Sequence, residues 1–167
     1  MKVLGVIFAR MDSQRLPGKP LMTLGDFNLI EFVYLRAKEI EKIDDIVLAT
    51  TNRSIDDSLV TFAKSINLKF YRGKTNDLAS RLIDCGDKYN ASHILRINCD
   101  SPFIDKKLVN DSIEKIEDNV DLITNIYRRT FPYGISTEII FLEKYVDIYS
   151  NFNNDEKEHV KNSINLN

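Results

Sequence analysis

The strongest chemical signal in the sequence is a cluster of cations that follows the first apolar run. Residues 9–20 read ARMDSQRLPGKP, and this segment carries Arg10, Arg15 and Lys19 against a single acid. With Lys2, the first 20 residues have a formal charge of +3, whereas the whole chain has −2. Several cations on one loop suit a polyphosphate, because its charge is spread over many oxygens.

The same loop has backbone features that favour a close approach to a ligand. Pro17 and Pro20 predict that no regular helix runs through residues 16–20. Gly18 permits a sharp turn or a close backbone contact. Neither GxxxxGK[ST] nor GxGxxG occurs here, so the loop is not typical of P-loop or dinucleotide-binding proteins.

A second candidate group is a carboxylate that follows another apolar segment. Asp100 lies in NCDSP, directly after HILRIN at residues 93–98. A carboxylate at the end of a strand can hold Mg²⁺ beside a phosphate, because this ion prefers oxygen ligands. An aspartate just before Pro102 is equally at home in a turn. The residue pattern alone leaves both interpretations open.

The elements that must position these groups follow from apolar periodicity. Strands are predicted at residues 2–9, 45–51, 68–72, 93–98, 121–125 and 136–142, with the last a candidate for antiparallel pairing. Helices are predicted at residues 29–42, 55–66, 77–90, 105–118, 143–149 and 155–163. Asp105 is expected to cap one of them. This alternation predicts one α/β domain, residues 1–167, whose mostly parallel sheet has helices on both faces.

The site should then lie at one edge of that sheet. Ligands of such sheets bind at the carboxyl ends of the strands. The loops after residues 2–9, 45–51 and 93–98 are therefore expected to form it, which places the cationic loop and Asp100 together.

Composition excludes several classes of function. A charge of −2 argues against a nucleic-acid or membrane surface, which would favour a basic face. No apolar run approaches the roughly 20 residues of a membrane helix. Cys85 and Cys99 have no CxxC partner, so we expect reduced thiols in a cytoplasmic protein, with a nucleophilic role disfavoured.

Six segments, in order, resemble the nucleotidyltransferases that activate sugars. The likeness is closest to the cytidylyltransferases of the spore-coat-polysaccharide and 3-deoxy-manno-octulosonate types. The segments are ARMDSQRLPGKPL, LATTNRSIDD, YRGKTNDLASR, LRINCDSPFID, NIYRRTFPYGISTEII and EKEHVKNSI. The resemblance implies a three-layer α/β/α Rossmann-like fold of the nucleotide-diphospho-sugar transferase type.

The resemblance also implies roles for individual residues. The expected nucleotide-binding residues are Ala9, Arg10, Ser13, Arg15, Lys19, Arg72, Arg81 and Asn98. Arg15 and Lys19 are expected to stabilise the departing pyrophosphate, and Asp100 to hold Mg²⁺. The expected acceptor-sugar residues are Arg128, Arg129, Gly134, Glu138 and His159.

Some of these roles have an ordinary structural alternative, and two positions depart from the family pattern. Arg81 could instead form a surface pair with Asp77, one helical turn earlier. His159 could be a plain surface histidine. Cys99 stands where the family usually has glycine, and Ser136 where it has an acid.

The resemblance further implies a strand beyond the last matched segment, with a T-V-D-x-x-x-D pattern that supplies a second carboxylate to the metal. Without that carboxylate, transfer is expected to be slow or absent unless a partner or a substrate acid replaces it.

The implied function is transfer of CMP from CTP to an acidic sugar or a sugar phosphate, with release of pyrophosphate, in surface-polysaccharide biosynthesis. An anomeric hydroxyl would need little help from a general base. The expected partners are CTP, the sugar and a second copy of the chain. One alternative is an impaired relative that binds nucleotide or sugar without turnover. The other is a nucleotide-sugar-dependent glycosyltransferase, disfavoured because NCDSP lacks a D-x-D carboxylate pair.

Overall fold

A six-stranded sheet forms the centre of the computed structural model, which describes residues 1–117, 120–127 and 131–158. Its strands are β1 (Val3–Phe8), β4 (Asp45–Thr51), β5 (Lys69–Gly73), β6 (His93–Asn98), β7 (Leu122–Thr124) and β8 (Glu138–Phe141). Their order is β5-β4-β1-β6-β8-β7. The first four are mutually parallel, and β8 runs antiparallel to both β6 and β7. The mostly parallel sheet and the antiparallel strand are therefore confirmed.

Helices cover both faces of this sheet. They are α1 (Leu29–Lys38), α2 (Asp57–Ser65), α3 (Leu78–Lys88), α4 (Lys106–Ile113), α5 (Leu142–Tyr149) and α6 (Asn154–Glu158). One apolar core joins α1, α2 and α4 to the sheet, and a second joins α3 and α5 to its other face. Because side chains alternate along a strand, Ile7 enters the first core while Val6 and Phe8 enter the second. The three-layer α/β/α arrangement is confirmed.

The boundaries differ from the predicted ones mainly at helix ends. The helix predicted for residues 29–42 ends at Lys38, because the chain must turn before the backbone of Asp44 bonds to that of Val3 at 2.9 Å. A 3-10 turn at Lys19–Leu21 and a short hairpin, β2 (Thr23–Leu24) with β3 (Phe27–Asn28), were not predicted. The last predicted helix is described to residue 158, and its remainder lies outside the described residues.

Asp105 caps α4 as predicted. Its carboxylate accepts a hydrogen bond from the backbone N–H of Leu108 at 2.7 Å.

Among the described residues, no helix has the length and apolar character needed to cross a membrane.

A buried carboxylate fastens the cationic loop to the neighbouring loop. Asp56, which follows β4, is fully buried and accepts a hydrogen bond from the backbone N–H of Met11 at 2.7 Å. It also accepts one from the hydroxyl of Thr51, the last residue of β4. An ion pair of 2.6 Å between Arg53 and Asp12 adds a second tie. The hydrogen bond from Arg53 holds the pKa of Asp12 below its usual value.

We expect Asp56→Asn to lower the free energy of unfolding by about 1–3 kcal/mol, because the amide replaces one of the two accepting oxygens with an N–H₂ group that cannot accept. Asp57→Asn is the matched control. That neighbouring carboxylate is 61% exposed and pairs with Arg72, so its loss should cost less than about 1 kcal/mol. Urea denaturation of both variants measures the difference. Equal losses would contradict the anchoring role of Asp56.

Candidate active site

A cavity of about 520 Å³ lies where β1 and β6 end. Its position is the carboxyl edge of the parallel strands, where the sequence predicted a site. Eight of the predicted nucleotide-binding and catalytic residues line it: Ala9, Arg10, Ser13, Arg15, Lys19, Arg81, Asn98 and Asp100. The fold thus brings the loop after β1, the start of α3 and the loop after β6 to one place.

The cationic loop closes on itself over this cavity. The N–H of Gly18 donates to the carbonyl of Met11 at 2.8 Å. Gly18 has a φ of +75°, a left-handed conformation that favours glycine. Arg15 is exposed on this loop, and its guanidinium has no hydrogen bond or ion pair within the described residues. Its charge is therefore available to a ligand.

Lys19 and Asp100 form an ion pair of 2.7 Å across the cavity wall. Their side chains are 23% and 44% exposed, so solvent screens the attraction. Exposed pairs of this kind contribute about 1 kcal/mol or less. Breaking this pair therefore costs little free energy. An entering anion can bind Lys19 while an entering cation binds Asp100.

Arg81 is the most unusual group in the cavity wall. It is 3% exposed, and its Nε has no hydrogen-bond partner within the part of the chain that the structure describes. Burial, and secondarily the charge of Arg10, lower its pKa to about 10, so it stays charged at neutral pH. Gly73 makes room for it, since a Cβ there would lie 2.4 Å from Cγ of Arg81. The charges of Asp56 and Asp77 act on Arg81, but no described carboxylate forms an ion pair with it. A buried cation without a direct ion pair favours an anionic ligand.

The alternative pairing of Arg81 with Asp77 does not occur. One carboxylate oxygen of Asp77 caps α3 by accepting from the N–H of Ser80 at 2.8 Å. The other accepts from the hydroxyl of Tyr149 at 2.6 Å. Helical spacing permits the pair, but the cap and Tyr149 use both oxygens of Asp77.

Arg72, one of the expected nucleotide-binding residues, lies outside the cavity wall. Its guanidinium donates to the carbonyls of Thr51 at 2.9 Å and Arg53 at 2.8 Å. It also pairs with Asp57 at 2.7 Å. These contacts use its donors to join β5 to the loop after β4.

Arg96 is a cavity residue that the sequence analysis missed. It lies in β6, and its Nη1 donates to Oε1 of Glu138 in β8 at 2.7 Å. Glu138, expected to contact the acceptor sugar, is buried and does not line the cavity itself. Its bond to Arg96 is its connection to the cavity. The available signal was a lone charge inside the apolar segment HILRIN.

The remaining expected acceptor residues are less informative. Gly134 is described at a φ of +91°, beside the ring of Phe103 and outside the cavity wall. Arg128, Arg129 and His159 lie outside the described residues.

Cys99 and Glu158 also line the cavity. Burial raises the pKa of the Cys99 thiol to about 12, so it is not a thiolate at neutral pH. The pKa of Cys85 is raised to about 12 for the same reason.

The donor set suits Mg²⁺ held jointly with a ligand. No cluster of three or more histidine, cysteine or acidic residues that could hold a metal occurs in residues 1–117, 120–127 and 131–158. Mg²⁺ commonly uses one or two carboxylates together with substrate phosphates. Asp100, exposed at the cavity beside the cationic loop, fits that pattern.

Comparison with known proteins agrees with this arrangement. The spore coat polysaccharide biosynthesis protein SpsF of Bacillus subtilis is 29% identical over 87% of this chain and 62% of its own length. A 3-deoxy-manno-octulosonate cytidylyltransferase of Fusobacterium nucleatum is 33% identical over 73% of this chain and 49% of its own length. This chain spans about half to two thirds of the length of the curated relatives it matches.

A solved structure shows the same architecture. The cytidylyltransferase of Leptospira borgpetersenii superposes with a TM-score of 0.91 at 34% identity, over 96% of this chain and 69% of its own. A family model described as cytidylyltransferase matches residues 4–163. With nearly the whole chain matched and the predicted cations gathered at one strand edge, the chain belongs to the cytidylyltransferase family.

Proposed function

We propose that this protein transfers CMP from CTP to a sugar that carries an acidic group, and releases pyrophosphate. The observation that carries the proposal is Arg81, a buried cation that forms no ion pair with any described residue, in a cavity that also holds Arg10, Arg15 and Lys19. Such a cavity complements the charge of a nucleoside triphosphate. The names of two relatives, one of spore coat polysaccharide biosynthesis and one a 3-deoxy-manno-octulosonate cytidylyltransferase, support a sugar acceptor.

The reaction is an in-line displacement at the α-phosphorus. A hydroxyl oxygen of the sugar forms a bond to the phosphorus, the bond from phosphorus to the oxygen bridging to the β-phosphate breaks, and pyrophosphate departs with that electron pair. The hydroxyl proton passes to solvent. Because negative charge develops on the leaving group, prepositioned cations contribute most at that moment.

The chain's own residues divide this work by position. Arg15 and Lys19 face the departing pyrophosphate from the cationic loop, while Arg81 fixes the nucleotide from the buried side of the cavity. Ala9 and Ser13 supply the loop backbone and a hydroxyl, and Asn98 offers its amide from the end of β6. Asp100 would hold Mg²⁺, which when bound neutralises phosphate charge.

A pyrophosphate-release assay with CTP and Mg²⁺ tests the proposal. It offers a panel of acidic sugars and sugar phosphates, alongside calorimetric titration with CTP. Release that requires a sugar is the expected result. CTP binding without release for every sugar would favour a binding protein instead, and neither binding nor release would contradict the proposal altogether.

We expect Arg15→Ala to lower the turnover rate about 100-fold or more and to leave thermal stability unchanged, because Arg15 stabilises only the leaving group. Asp100→Asn should cause a comparable loss. Arg36→Ala, on α1 away from the cavity, is the control for removal of an arginine. If the turnover rate fell no further in Arg15→Ala than in Arg36→Ala, Arg15 would have no role in stabilising the leaving group.

Arg81→Met and Arg72→Met should give opposite results. Arg81→Met removes a buried charge that forms no ion pair with a described residue, so CTP affinity should fall at least about tenfold while stability holds or rises. Arg72→Met breaks bonds to Thr51, Arg53 and Asp57, so stability should fall while CTP affinity changes less than about threefold. Calorimetry and thermal unfolding measure both. If CTP affinity fell in Arg72→Met and not in Arg81→Met, Arg72 would be the nucleotide-binding residue and Arg81 the structural one.

A further inference from the structure

We propose that Arg96, oriented by Glu138, selects an acceptor that bears a carboxylate or phosphate. The inference rests on the proposed function and assigns this part of the same cavity to the acceptor's acidic group. Arg96 would thus be a specificity-determining residue, and Glu138 a positioning residue that acts through it.

The pairing of two strands fixes the position of Arg96. Strands β6 and β8 run antiparallel with Leu95 opposite Ile139, so Arg96 comes opposite Glu138 at the next position. Both side chains are largely buried, at 15% and 8% exposure, and they meet at 2.7 Å. An arginine held at one end of its guanidinium is already oriented before a ligand arrives.

The bond to Glu138 leaves one whole edge of the guanidinium unused. Glu138 takes Nη1, whereas Nε has no hydrogen-bond partner. No bond from Nη2 to any described residue is present either. Nε and Nη2 donate in parallel from the same side of the group, which is the arrangement that binds the two oxygens of a carboxylate or phosphate.

Arg96 lines the same cavity as the cationic loop but lies further from the strand ends. Arg96 and Asn98 lie on the same face of β6, and Arg96 is two residues further from the strand end. This spacing places it roughly 7 Å deeper than Asn98 along the strand. The cationic loop follows β1 on one side of β6, while Glu138 in β8 lies on the other. A group bound at Arg96 would therefore lie deeper in the cavity than a phosphate bound at Lys19.

A purely structural role explains the pair less well. Buried ion pairs contribute little net stability, because desolvation offsets most of their attraction, and apolar residues of similar size often serve as well. Here the arginine also lines the cavity. Its Nε donor is buried without a hydrogen-bond partner, which destabilises the fold as long as no ligand is bound. An acidic ligand would satisfy that donor.

The test compares the binding of acidic sugars with that of neutral partners. Titration calorimetry on the whole chain uses 3-deoxy-manno-octulosonate against its methyl ester, and mannose 6-phosphate against mannose. The two pairs distinguish a carboxylate from a phosphate. The wild-type protein should bind at least one acid about tenfold or more tightly than its neutral partner, and Arg96→Met should bring that ratio close to one while CTP affinity is unchanged.

Two further variants separate recognition from folding. Arg96→Met leaves Glu138 buried without its partner, so Arg96→Met/Glu138→Gln is measured as well and should restore stability but not the preference for the acid. Arg96→Lys keeps the charge without the two-donor edge and should retain only part of the preference. A preference that survives in folded Arg96→Met protein, or no preference in the wild type, would overturn the inference.

Pyrophosphate release from the same samples distinguishes this inference from the proposed function. An acid preference that depends on Arg96, without release, would support the binding subsite and contradict the transferase. Release with an acid preference that Arg96→Met does not alter would support the transferase and contradict the subsite.

Discussion

The buried carboxylate of Asp56 is the constraint on which the rest of the site depends. A loop with three cations would spread its charges apart in solution, yet here the backbone of Met11 is tied to a fully buried acid after β4. That tie sets where the loop starts, and the bond from Gly18 to Met11 sets where it closes. Arg10, Arg15 and Lys19 therefore face the same cavity before any ligand is present, so a ligand does not have to order them.

Five described arginines at or near the site differ in what surrounds them. Arg72 and Arg53 have carboxylate partners and join loops, so their charges are used within the fold. Arg81 and Arg15 have no such partner among the described residues, one because the oxygens of nearby Asp77 are taken by Ser80 and Tyr149, and the other because it projects from the loop. Arg96 stands between the groups, since Glu138 uses one end of its guanidinium and leaves the other free. The cations at the strand edge that lack an ion pair among the described residues are therefore the groups that can bind an anion in the cavity.

Much of the fold could be predicted because local and long-range preferences agree. The strands at residues 45–51 and 93–98 have their predicted bounds, since short, mainly apolar segments with β-branched residues favour buried strands. The cationic loop was found for a similar reason, because proline, glycine and charge occur together at a strand end. Helix ends were predicted less well, and α1 is the clearest case, since the chain after it must turn to bring Asp44 to Val3 of β1.

The site was harder to predict where a side chain has several possible partners. Helical spacing permits Asp77 to pair with Arg81, but the cap of α3 and Tyr149, 72 residues further on, take its oxygens. The position of Arg72 depends on carbonyls of another loop, which no local pattern reveals. Arg96 was missed because its partner lies on a strand 42 residues away, and only the sheet brings the two together.

Hydrogen exchange of the whole chain with and without CTP and Mg²⁺ tests the central claim most directly, that this strand edge binds a nucleoside triphosphate. The account predicts slower exchange in residues 9–20, at the start of α3 and in residues 98–100, with little change at the opposite edge of the sheet. Protection confined to other parts of the chain, or none at saturating CTP, would contradict it.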